Sequence, residues 1–477
     1  MGKTLYEKVF DSHALRELAP GQYQIVVDRH MLNEVSSPQA FATLRERGLK
    51  VAYPERTFST SDHTTSTLGD PEAVDDATSA LQIATMRGNA AESGIRYFDP
   101  RQGEHGIIHV IAPERGLIHP GMVVVCGDSH TSTYGAFGAV AFGIGTTQVR
   151  DVLASQTMLC EKLRVRRIDI VGKLAPGVYA KDVALYAIAR LGAKGGVGYA
   201  YEFGGEVVER FSMEERMTLC NMAIEGGARC GYVNPDATTY RYLQGRAHAP
   251  AGQRFRQSVA RWEKVRSDAD ARYDNRVTLH ADEIGPMVTW GTSPDQAVAV
   301  HERIPVVSPA LADTLGFMGL EAEQPIAGTR VDVAFIGSCT NGRLSDFEAV
   351  AEHLRRGTYR VAAHVKALVV PGSRAVHEAL IASGIDRLFT EAGFEMRDAG
   401  CSLCCGMNAD RLSGHQRCAS SSNRNFRGRQ GSPEGRTMLM SPVMVAAAAI
   451  AGEIVDARRL FGIDGTAPPS SRTIEQP

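Results

Sequence analysis

Short β-branched runs and stretches at helical spacing alternate along this chain. Val123–Cys126 is an apolar run that breaks at Gly127 into Asp128-Ser129-His130-Thr131, a strand end presenting polar side chains. Val331–Ile336 leads into Gly337-Ser338-Cys339-Thr340-Asn341-Gly342, and Leu344, Phe347, Val350 and Leu354 then recur at helical spacing. Val365–Val370 reads as the next strand, with a helix over Ala375–Ile381 that Ser373 caps. Phe394–Arg397 runs into a second loop, Gly400-Cys401-Ser402-Leu403-Cys404-Cys405-Gly406. Earlier, Val165–Val171 alternates as a strand and Lys181–Leu191 forms an amphipathic helix. A helical stretch is expected around Val149–Leu163, and an exposed helix plus linker over Arg254–Arg276, where charges of both signs mix. This alternation predicts an α/β fold of three layered αβα domains, over residues 1–165, 166–300 and 301–464, with no internal repeat strong enough to argue from. Residues 465–477, rich in Pro, Ser and Thr, read as a disordered tail.

A length of 477 residues suits about three domains. The 52 basic against 54 acidic residues create no global field for nucleic acid or an anionic membrane, so partners are expected to be small molecules or protein. The amino terminus has no apolar core of signal-peptide length, and the longest apolar run, Val443–Ala451, is too short to span a bilayer. Nine scattered cysteines point to a reducing, cytoplasmic setting, in which Cys126, Cys160, Cys220, Cys230 and Cys418 are small buried hydrophobes.

The two cysteine loops each follow a strand, so three thiolates can meet beyond the sheet. A structural zinc site closes with four ligands, whereas a cubane cluster takes one thiolate per iron and three leave one iron open, a Lewis acid for substrate oxygens. Around these loops the chain resembles the aconitase superfamily, on the branch that isomerises 2-isopropylmalate to 3-isopropylmalate through 2-isopropylmaleate in leucine biosynthesis. The resemblance implies that Cys339, Cys401 and Cys404 hold a 4Fe-4S cluster; adjacent Cys405 is a competing ligand or disulfide partner that the Cys-x-x-Cys spacing disfavours.

Asp-His neighbours and basic loops usually mean nothing alone, and it is the match to family motifs that singles out the ones here. By that resemblance Asp62 and His63 handle the leaving hydroxyl, Asp128 and His130 surround the cluster-bound oxygen, and His109 is a third active-site histidine. Glu225 and Asn221, on one face if helical, lie near the cluster and its water. Gln39, Ser129, Asn423, Arg424 and Arg429 contact substrate, the arginines through its carboxylates, while Arg427 faces solvent. The match runs from about Leu5 to about Arg458, with departures. After His63 the branch usually continues Asn-Val-Pro-Thr, where this chain has Thr64-Thr65-Ser66-Thr67, and Asn33 and Tyr134 replace histidines.

Four-domain members of the superfamily also carry a swivelling domain with a catalytic serine base. This chain is expected to lack it and to draw the base from a separate small subunit. The reaction implied is that of a hydro-lyase acting on a dicarboxylate. A paralogue acting on methylmalate, citraconate or homoaconitate is the alternative; an iron- or redox-sensing RNA-binding protein and a decayed scaffold are the rivals outside the class.

Overall fold

The computed structural model describes residues 2–74, 76–463 and 465. All but Gly465 of the expected tail therefore lies outside the described residues.

Three parallel sheets carry the chain. The first orders its strands Arg96–Phe98, Thr57–Thr60, Arg29–Leu32, Val123–Cys126, Val140–Gly143. The second runs Cys230–Val233, Tyr199–Gly204, Arg164–Val171, Asn275–His280. The third runs Glu395–Met396, Lys366–Val369, Val333–Ile336, Arg417–Ser420, Arg436–Leu439. The same order recurs: the earliest strand lies inside, the next two build outward on one side, and the chain then crosses to the other. Such a reversal opens a crevice beyond the carboxyl ends of the two strands that flank it. In the first sheet those strands end before Asn33-Glu34 and Asp128, and in the third before Cys339 and Asn423.

Runs such as Val123–Cys126 and Val333–Ile336 are buried along their whole length, as parallel strands covered on both faces must be. One core surrounds the third sheet and takes in Ile107 and Val110 from the earlier chain; another joins Met31 and Phe58 of the first sheet to Ile168 and Phe203 of the second. The apolar run that is too short for a membrane is the helix Pro442–Ala451, buried against the third sheet. Among the described residues no helix is long and apolar enough to cross a membrane.

Most sequence expectations hold to within two residues: helices span Ala180–Leu191 and Leu344–Leu354, and Ser373 caps Arg374–Ser383 by accepting the Val376 N–H. The stretch around Val149–Leu163 is a correction. The helix runs Thr146–Ser155, and Thr157–Glu161 is a strand, antiparallel to Gln22–Val26. Gln156 ends the helix at φ 56°, held there by exchanging hydrogen bonds with the Val27 backbone. Cys160 on that strand is half-buried; Cys126, Cys220, Cys230 and Cys418 are buried, and all nine thiols are free.

Candidate active site

The polar residues that follow the strands of the first sheet form one connected group. Asp62 and His63 follow Thr57–Thr60, and Asp62 Oδ1 lies 2.5 Å from His63 Nδ1. Asp62 Oδ2 accepts the Ile108 N–H at 2.8 Å. His63 Nε2 faces Asp128 Oδ2 at 3.3 Å, a long contact, while Asp128 Oδ1 takes His109 Nε2 at 3.0 Å and the His130 N–H at 2.7 Å. Asp128 caps the 3-10 turn Ser129–Phe137, which lies so close to the next strand that a Cβ on Gly143 would stand 2.7 Å from the Asp128 carbonyl oxygen. Ser129 is half-buried beside it.

The network continues into the second layer. His130 Nε2 meets Glu225 Oε1 at 2.9 Å, and Arg424 Nε donates to the same oxygen at 2.7 Å. Asn221 and Glu225 would share a face only if one helix carried both, and it does not. The helix Met213–Met222 ends between them, and Glu225 sits in a 3-10 turn. Asn221 instead reaches Thr133 and Cys339, donating to the sulfur at 3.2 Å.

Burial opposes charge on His63, but the Asp62 and Asp128 carboxylates outweigh it and hold the imidazolium well above the usual histidine range. Burial likewise pushes Asp128 up, yet the surrounding histidines, His109 foremost, carry it well below the usual carboxylate range. For Glu225, His130 and Arg424 overcome burial in the same direction. Acidic and basic side chains thus alternate from Asp62 to Arg424.

Cys339, Cys401 and Cys404 are 5%, 5% and 4% exposed. Both cysteine loops hold a serine in the left-handed region, Ser338 at φ 82° before Cys339 and Ser402 at φ 50° after Cys401. Such residues cost about 1–3 kcal/mol each and persist where their surroundings fix them. Here Ser338 Oγ donates to Cys404 Sγ at 3.2 Å and Ser402 Oγ to Asp410 Oδ2 at 2.7 Å. Buried Arg343 grips the carbonyls of Cys339 and Thr340 at 2.7 Å each. Asn423 Nδ2 lies 3.3 Å from Cys339 Sγ. Arg429 Nη2 lies 3.8 Å from Cys404 Sγ, and its buried Nε has no hydrogen-bond partner among the described residues. The ligand atoms of Cys401, Asp62 and His63 lie within 4.8 Å of one another. Burial pushes the Cys401 thiol up and the Cys339 thiol up to about 12, so these sulfurs ionise when a cation is held among them. Three soft ligands backed by N–H and O–H donors fit an iron-sulfur cluster. Cys405, half-buried, donates its N–H to the Ser402 carbonyl.

The Aconitase family (aconitate hydratase) matches residues 7–452. This chain belongs to the aconitase family. Aconitase-family relatives named 3-isopropylmalate dehydratase large subunit include one from Sorangium cellulosum, 55% identical and covering 97% of this chain and 100% of its own length. Others come from Thermus thermophilus, 56% identical over 98% of this chain and 100% of the relative, and Synechococcus elongatus, 56% identical over 95% and 98%.

Two of the departures from the family pattern have structural explanations. Asn33 folds onto Ser36, accepting its N–H and hydroxyl at 2.9 and 2.8 Å, and buried Tyr134 donates to the Ile108 carbonyl at 3.1 Å. Thr64 and Thr67, at the ends of the altered loop, bond to Glu34 and Asp410. Gln39 stands apart, exposed on the first turn of the helix Pro38–Glu46, with no side-chain hydrogen bond to the network among the described residues. Arg427 is exposed, as expected, and pairs with Asp313.

Three buried groups escape a reading of the sequence. Glu34 accepts the N–H groups of Asp62, His63 and Thr64 and the Thr64 hydroxyl, and so fixes the acid-base loop from beneath. Asp410 ties Thr67 to Ser402, and Lys181 lies under the loop that carries Asn423. The only signal for Glu34 is an acid two positions beyond the strand Arg29–Leu32; the other two give none.

Proposed function

We propose that this chain is the large subunit of a hydro-lyase that converts 2-isopropylmalate to 3-isopropylmalate through 2-isopropylmaleate, a step of leucine biosynthesis in the cytoplasm. The supporting observation is the unbroken run Asp62–His63–Asp128–His130–Glu225–Arg424 beside three buried cysteines. When bound by Cys339, Cys401 and Cys404, a 4Fe-4S cluster supplies one iron without a protein thiolate, a Lewis acid for the substrate's hydroxyl and carboxylate oxygens.

His63 is the general acid. Asp62 fixes its Nδ1, and the long contact to Asp128 leaves the Nε2 proton available to the departing hydroxyl. Asp128 stays ionised and is aimed by His109 and the His130 N–H. Glu225 holds Arg424 through Nε and leaves its terminal nitrogens for one substrate carboxylate; Arg429 offers its unpaired Nε to another. A serine on the swivelling domain of a small subunit takes the carbon-bound proton. The C–H and C–O bonds break and the His63 proton leaves with the hydroxyl as water; on re-addition the water's hydroxyl bonds to the neighbouring carbon, its other proton returns to His63, and the serine gives its proton to the carbon that lost the hydroxyl.

The substrate assignment is tested by comparing kcat/KM for 2-isopropylmalate with that for methylmalate, citraconate and homoaconitate. A clear preference for 2-isopropylmalate is expected, and its absence would sink the assignment while leaving the hydro-lyase chemistry standing.

A further inference from the structure

Lys181 stands in the first turn of the helix Ala180–Leu191 and is 1% exposed. This is an unfavourable place for a cation, because burial strips its water and the amino end of a helix already carries positive charge. No carboxylate makes a hydrogen bond with it among the described residues. Asp182 accepts the N–H groups of Tyr179 and Met287, and Asp346 accepts from Asn341 and the Arg343 N–H. The Lys181 Nζ donates instead to the backbone carbonyls of Ser421, at 2.8 Å, and Ser422. Lys181 also lines a cavity of about 260 Å³ with Glu214, Thr218 and Asn341, so close packing does not hold the side chain on every side.

Ser421 and Ser422 immediately precede Asn423, which touches Cys339, and Arg424, which pairs with Glu225. From the third sheet the segment is held by the Ser421 N–H on the Phe335 carbonyl and by the Gly337 N–H on Ser421 Oγ, both at 3.0 Å. From the second layer, Glu225 holds the Arg424 side chain and Thr289 and Gly291 accept from Asn425, while Lys181 ties the backbone carbonyls of Ser421 and Ser422. We propose that Lys181 is a positioning residue: by gathering the Ser421 and Ser422 carbonyls it sets Asn423 against the cysteine sulfurs and Arg424 against the substrate carboxylate. The part concerning substrate rests on the function proposed above.

Hydrogen exchange of the full-length chain tests the tie without any substrate. In Lys181→Met, amide exchange in 421–425 is expected to accelerate by roughly tenfold or more, while residues 184–191 of the helix keep their protection. Lys181→Gln, which keeps an N–H donor group but loses the charge, is expected to fall between Lys181→Met and the parent, and decides the matter alone if Lys181→Met does not fold. In the complex with the small subunit, the KM for the diacid should rise by about tenfold with a smaller fall in kcat. Unchanged exchange in 421–425, a uniform rise over the whole chain, or a higher KM without the local change each overturns the proposal. Failure of the 2-isopropylmalate assignment would leave the exchange result intact.

Discussion

The Cys401 N–H donates to the Asp62 carbonyl at 3.1 Å, so the loop that carries Cys401, Cys404 and Cys405 and the loop that carries the acid-base pair are bonded backbone to backbone. A change at Cys401 is therefore felt at His63. Cys401→Ser removes a soft ligand while keeping the volume, and is expected to abolish turnover and the cluster's visible absorbance. Circular dichroism of the apo-protein should match the parent; a Cys401→Ser protein with full activity would remove Cys401 from the ligand set.

The raised imidazolium of His63 sets a pH dependence. Its proton is retained through the neutral range and lost as pH rises through the raised value, so kcat/KM should fall on that alkaline limb. Asp62→Asn removes the largest factor raising it and should move the limb down toward about 6.5. The same shift contributes stability below the unfolded value, lost as pH rises through the folded one; Asp128, shifted down, contributes above its unfolded value of about 3.9, lost in acid. A pH-rate profile of Asp62→Asn identical to the parent's would exclude His63 as the acid.

Glu225 holds His130 and Arg424 by one oxygen. Glu225→Gln can keep one of those bonds but loses the charge that orients both partners, and should cost about 10–100-fold in kcat/KM. The loss should appear in KM as well as kcat, because Arg424 is assigned to the substrate; a pure kcat effect would argue against that assignment.

Asp410, 3% exposed, accepts the hydroxyls of Thr67 and Ser402. Asp410→Ala leaves buried donors unpaired at a cost of roughly 1–3 kcal/mol and frees Ser402 from the bond that fixes its left-handed backbone. A lower melting temperature and faster cluster loss in air are expected. Thr67→Val should reproduce the smaller part of both, and a cluster lifetime indifferent to Asp410 would separate the clamp from the cysteine loop.

The parts of the site legible in the sequence are those whose neighbours in the chain carry the information. Asp128 to His130 and the cysteine loops sit directly after runs that read as strands, whereas Asp62-His63 follows the polar strand Thr57–Thr60 and stands out only by its match to the family motif; the structure brings all of them to one crevice. Lys181 and Asp410 were illegible because Ser421, which Lys181 reaches, lies 240 positions away and Thr67, which Asp410 joins to Ser402, lies 343 away, set by the packing of layers. The stop at Gln156 was illegible for a related reason: no glycine or proline marks it, and the contact with Val27 decides it. The shared strand order of the three sheets left no repeat in the sequence, since order follows from which faces pack together.

The most direct test of the account is turnover of 2-isopropylmalate by this chain, reconstituted anaerobically with iron and sulfide and mixed with its small subunit, followed by the absorbance of the unsaturated intermediate. Turnover is expected, and it should disappear in Cys401→Ser and in the absence of the small subunit. An intact cluster and a bound small subunit with no turnover of 2-isopropylmalate would contradict it.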